Sequence, residues 1–166
     1  MSDLDLNFTL EHSVAGTILQ RTQERLGVLD LPGIERSRIV IRKLPWQTDD
    51  VPPPYITVSP PPPATTWQEG TNELDSPVYA AMIAIVLASG EISTKGMGLQ
   101  LYWRERIYRA FNNRSPVSWP ELVLPTGAHF LHAWVESGDQ FIDLAKRAQY
   151  DAQYLLLRVR VKEPRE

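Results

Sequence analysis

The chain has 166 residues, 43% hydrophobic and 22% charged, enough apolar material for one domain with a true core and too much for a disordered tail. Its formal net charge of −3 argues against a general nucleic-acid-binding role, which calls for a strong basic excess. The absence of cysteine excludes disulfides, thiolate metal sites and thiol nucleophiles.

From the N-terminus, the acidic stretch 1–10 lacks the basic and apolar regions of a signal peptide. A first helix is expected over Thr9–Leu26, where Leu10, Val14, Ile18 and Leu19 recur at helical spacing. Gly27 is the expected left-handed residue closing it, before a Leu31-Pro32-Gly33 turn. Arg38–Leu44 reads as the first strand, centred on the β-branched run Ile39-Val40-Ile41.

The second strand, Tyr55–Val58, stands between Pro52–Pro54 and Pro60–Pro63, which together hold seven of the chain's 14 prolines. Proline cannot donate a ladder hydrogen bond, so so short and blunted a strand suits a sheet edge. A proline-rich, acidic loop follows at about 60–75, and Trp67 lies in it, either packed back on the body or reserved for a partner.

Val78–Leu87 is apolar at both parities, the mark of a strand covered on both faces, and at ten residues is too short to span a membrane. Gly96 and Gly98 then open a second helix, Leu99–Asn112, with Leu99, Trp103, Ile107 and Phe111 forming its buried stripe. Ala128–Glu136 is a fourth strand, with Phe130 and Trp134 facing opposite to Leu131 and Val135. After a crossover at Gln140–Tyr150, the last strand, Tyr154–Lys162, points Leu155, Leu157, Val159 and Val161 one way and Arg158, Arg160 and Lys162 the other.

The expected architecture is therefore α/β (α+β): one domain over residues 1–166, with a single mixed sheet of about five strands and two main helices. No membrane partner is expected, and synthesis is placed in the cytosol.

Charge is unevenly distributed. Residues 44–94 contain Asp49, Asp50, Glu69, Glu73, Asp75 and Glu91 but no Lys or Arg, which leaves the remainder basic by three charges. The segment is either a solvated acidic loop or a face that repels phosphate or meets a basic partner.

Catalytic and cofactor signatures are missing. His129 and His132, three apart on a strand, are expected on opposite faces and so cannot share a metal. The Gly96-Met97-Gly98 pair lacks the further glycine and lysine of a phosphate loop, and Asp49-Asp50 has no apolar surround to raise a carboxyl pKa. No nucleophile elbow occurs. Arg104, Arg106, Arg109 and Arg114, with Arg158 and Arg160, could contact phosphate only if they shared a face. The expectation is a protein that is not an enzyme and holds no metal or cofactor. Trp46, Trp67 and Trp119, beside prolines or in loops, serve either at an interface or as anchors of those loops on the core.

Four segments read together, Arg38–Trp46 (RIVIRKLPW), Tyr55–Pro60 (YITVSP), Trp103–Phe111 (WRERIYRAF) and Tyr150–Pro164 (YDAQYLLLRVRVKEP), resemble segments of small tail-completion proteins of tailed bacteriophages and prophages. Within that group the chain looks most like the tail terminators. The resemblance implies an α/β subunit that assembles as a ring, commonly a hexamer, at the head–tail junction of the virion. Such a ring caps the tail tube, stops its polymerisation and receives the neck or connector, while DNA passes through without specific binding. The implied partners are further copies of the chain, the tube protein and the neck or connector protein; a sheath is a further candidate. Another head–tail connector or neck adaptor, or a non-phage adaptor module using the proline-rich loop, are the alternatives. On the ring reading, Trp46, Pro61, Pro62 and Trp67 are expected at interfaces, and Asp49, Asp50, Glu69, Glu73 and Asp75 at the pore or its rim.

Overall fold

The computed structural model describes residues 9–45, 51–61, 76–87, 94–139 and 152–164. A 3₁₀ turn, Leu10–His12, leads into α1 (Val14–Gly27), and a second, Arg36–Arg38, into β1 (Ile39–Ile41). Then come β2 (Tyr55–Ser59), β3 (Val78–Val86), α2 (Thr94–Phe111), β4 (His129–Ser137) and β5 (Ala152–Lys162). The strands form one five-stranded sheet in the order β1-β2-β3-β5-β4, parallel between β1 and β2 and antiparallel elsewhere. This is the expected α+β fold, a single mixed sheet with two helices. The crossover expected at Gln140–Tyr150 lies outside the described residues.

Local chemistry explains the element boundaries. The Ser13 hydroxyl accepts from the Gly16 N–H at 3.0 Å and caps α1, satisfying one of the free amides of its first turn. Gly27 is the last residue of α1 and is not left-handed; the helix tightens past it through a Leu29 N–H bond to the Leu26 carbonyl. The left-handed residues come later, Asp30 (φ 52°) and Gly33 (φ 80°), on either side of the Leu31-Pro32 step. The Trp103 indole on α2 donates to the Pro32 carbonyl at 2.8 Å and fixes that turn to the second helix. Gly96 and Gly98 lie within the first turns of α2 rather than in a turn before it.

Both helices lie on one face of the sheet. Val14, Ile18, Leu19 and Leu26 of α1, with Trp103, Ile107, Ala110 and Phe111 of α2, pack on Ile39, Ile56, Val58, Ile83, Ile85, Leu155, Leu157, Val159 and Val161. The other face carries a smaller buried cluster, Tyr55, Met82, Ala84, Val86, Tyr154 and Leu156. β3 is therefore buried on both faces, as its two-parity apolar run predicts.

Two expectations about strands are corrected. β2 is an interior strand, paired with β1 on one side and β3 on the other, and all five of its residues are buried. Its prolines mark where pairing stops along the strand; they do not blunt an edge. In β4 the register against β5 shifts between Phe130 and His132, so Leu131 is an extra, bulged residue. The bulge switches parity: Phe130, Ala133 and Val135 all point into the core. His129 and His132, opposite Lys162 and Arg160, share the other face with Trp134, contrary to the simple alternation.

Candidate assembly surfaces

Arg25, in the last turn of α1, joins both helices to the segment after α2. Its guanidinium donates to the Ala110 carbonyl at 2.9 Å and the Ser118 carbonyl at 3.4 Å, and lies 5.3 Å from the Trp119 ring centroid. Burial, then the nearby Arg114 charge, lower its pKa, while Glu121 at 3.9 Å opposes them. Trp119 itself is 1% exposed and meets Phe111 and Phe130 edge-on, at centroid distances of 5.3 and 5.8 Å. Of the two roles open to it in the sequence, the core anchor is the one it fills.

Both outer edges of the sheet are closed by side chains or loops. On β1, the carbonyls of Ile39 and Ile41 accept from Gln23 Nε2 at 2.8 Å and Arg42 Nη1 at 3.0 Å. On β4, Arg114 and Ala133 exchange backbone bonds of 3.0 and 2.8 Å, and the Asn112 side chain accepts from Val135 N–H at 3.1 Å. Strand edges otherwise invite pairing with another chain, and these partners occupy the groups such pairing would use.

Two apolar surfaces remain open. Along the flank of α2, Met97, Leu101 and Tyr108 are exposed at spacings of four and seven, with Arg104 in line between the last two. Beyond α2, an open groove of about 250 Å³ is lined by Pro116, Pro120, Val123 and His129 among others, with buried Trp119 and Phe130 at its base. Exposed Val117 and Leu131 directly follow the lining residues Pro116 and Phe130 in the chain.

The sheet face away from the helices carries charge at its β4–β5 end. Arg158 pairs with Glu136 at 3.0 Å, the Arg160 guanidinium lies 6.0 Å from the Trp134 ring centroid, and His132 stacks on Trp134 at 5.8 Å. Arg106 and Arg109 are instead engaged on the helix layer, with the Leu29 carbonyl and Glu105 respectively. The two arginine groups thus occupy opposite layers and do not make one phosphate surface. Among the described residues, no three His, Asp or Glu side chains gather as a metal-ligand set, and no helix is long and apolar enough to cross a membrane.

Of the sequence-predicted interface and pore residues, Pro61 is half-buried just past β2. Trp46, Pro62, Trp67, Asp49, Asp50, Glu69, Glu73 and Asp75 lie outside the described residues. The α2 flank and the groove were not singled out in the sequence. Their only signals there were the apolar residues of α2 left outside its buried stripe and the isolated Val117 and Val123. Comparison with models of known protein families finds no match, and comparison with curated proteins finds none either.

Proposed function

We propose that this chain is a structural ring subunit of the head–tail junction of a tailed bacteriophage, ending growth of the tail tube and receiving the neck. The observation that carries the reading is the combination of closed sheet edges with two unlike apolar surfaces left open on one subunit. A subunit whose edges are occupied cannot extend its sheet through a neighbour, so association runs through faces of fixed size. Two different faces meeting in turn form a heterologous contact, which closes into a ring when the rotation per subunit allows it. The resemblance of four segments to tail-completion proteins gives the ring its place in the virion. On this reading the protein performs no catalysis, needs no cofactor, and lets DNA pass.

The test is functional. The purified protein is added to polymerising tail-tube protein from the same genome, and tube lengths are measured by electron microscopy. Short tubes with one blunt, capped end are expected at substoichiometric amounts. Unaltered tube lengths, with the protein found instead on the connector, would move it to the neck.

A further inference from the structure

The two open apolar surfaces are unlike in shape. One is a convex helical ridge, Met97, Leu101 and Tyr108 at spacings that put them in a row along α2. The other is a concave groove between the segment 116–124 and the start of β4, bordered by Val117 and Leu131. At about 250 Å³ the groove is smaller than the roughly 300–1,000 Å³ of typical small-molecule sites, and is of a size to take protruding side chains.

We infer that the α2 ridge of one copy seats in the β4-side groove of the next, forming the head-to-tail contact between subunits. This deepens the ring reading and rests on it. Area supports a second copy as the occupant. Met97, Leu101, Tyr108, Val117, Val123 and Leu131 are between 41% and 91% exposed. At about 200 Å² per large side chain, they offer roughly 600–700 Å² of apolar surface. Non-obligate interfaces are about 57% apolar, so the two surfaces together imply an interface of about 1,200 Å², the lower end of the stable range. Each surface alone falls well short of that size. A contact near the lower bound makes pairwise association weak, while a subunit in a closed ring makes two such contacts and is held by both.

Arrangement of the contact also fixes its symmetry. The ridge and the groove are different surfaces, so the contact is heterologous and each copy has one of each to offer. An isologous dimer, α2 against α2, would use the ridge twice and leave the groove empty.

The test uses two single variants of the full chain, Leu101→Glu on the ridge and Val123→Glu in the groove. Both positions are exposed, so melting curves should match the wild type, and that control is run first. Each variant alone should need at least tenfold more protein to self-associate, because a carboxylate is forced into an apolar contact. Mixed in equal amounts, the two variants should recover one good contact, the intact ridge of V123E in the intact groove of L101E. The mixture should therefore stop at a 1:1 dimer, seen by native mass spectrometry at twice the 18.9 kDa subunit mass.

Wild type that assembles while both variants assemble equally well would overturn the inference and leave the ring reading standing. Variants that fail alone and stay monomeric when mixed would also overturn it, pointing to an isologous contact. Variants that self-associate normally but no longer bind tube protein would assign these surfaces to the tube instead. Wild type that never self-associates would overturn the ring reading and the inference together.

Discussion

Trp119 is the sharpest place to test the packing argument, because the sequence alone left it between an interface and a core role. Truncating it to Ala removes a side chain that is 1% exposed and leaves a cavity between α2 and β4. Large aromatic truncations in cores cost about 3–5 kcal/mol. Here two edge-on aromatic contacts and the Arg25 guanidinium at 5.3 Å are lost as well, which puts the expected cost at the upper end, about 4–6 kcal/mol. Against a global stability of roughly 5–15 kcal/mol, that leaves a domain at the margin of folding. Urea denaturation followed by circular dichroism is the assay. With an m-value of about 2 kcal/mol/M, the midpoint should fall by about 2–3 M, or the variant should be unfolded without denaturant. Trp119→Phe, which keeps an aromatic ring in place, should lose no more than about half as much. A loss below about 1 kcal/mol for the alanine variant would refute the claim that Trp119 joins the second helix to the sheet.

Three further perturbations test other parts of the account. Gly16→Ala, which on helix propensity alone should gain about 1 kcal/mol, should instead destabilise, because the added Cβ would lie 2.2 Å from the Leu10 carbonyl oxygen; thermal melts give the sign directly. Arg25→Met keeps much of the side-chain volume but strips the Ala110 and Ser118 carbonyls of their donor, and should cost about 2–3 kcal/mol in urea unfolding. Tyr79 donates to the Glu163 carboxylate, and burial followed by that hydrogen bond raises its pKa above the ordinary value near 10. The unfolded chain therefore releases this proton first, so the stability contributed is full below about pH 10 and is lost as pH rises from there toward the folded pKa. Unfolding free energies measured from pH 9 to 12 should fall less steeply for Tyr79→Phe than for the wild type; equal slopes would remove Tyr79 from the alkaline transition.

How much of this could be read from the sequence differs by element, for physical reasons. The buried stripe of α2, the two-parity apolar run of β3 and the alternation of β5 each depend on burial that repeats along one element, and each was legible. Strand order was not, because it depends on which elements meet in space. The prolines around β2 correctly marked where its pairing ends, but nothing local showed that β1 lies beside it and makes it interior. The bulge at Leu131 defeated the reading of β4 because period-2 alternation assumes every residue is paired. A trace of it is present: Phe130 and then Ala133 and Val135 are the apolar residues that break parity. Side-chain caps on the sheet edges were equally invisible, since Gln23 and Asn112 reach strands far from them in sequence. For the candidate site, α2's second apolar row was masked by Arg104, Glu105 and Arg109, which made that side read as simply polar.

The central claim is that this subunit closes a ring, and the most direct measurement is its mass in solution by light scattering across a concentration series. The account predicts a species that grows with concentration to a discrete plateau, near six times the 18.9 kDa subunit, with no larger open polymers. A mass that stays at one subunit throughout, and remains so when tail-tube protein is added, would contradict it.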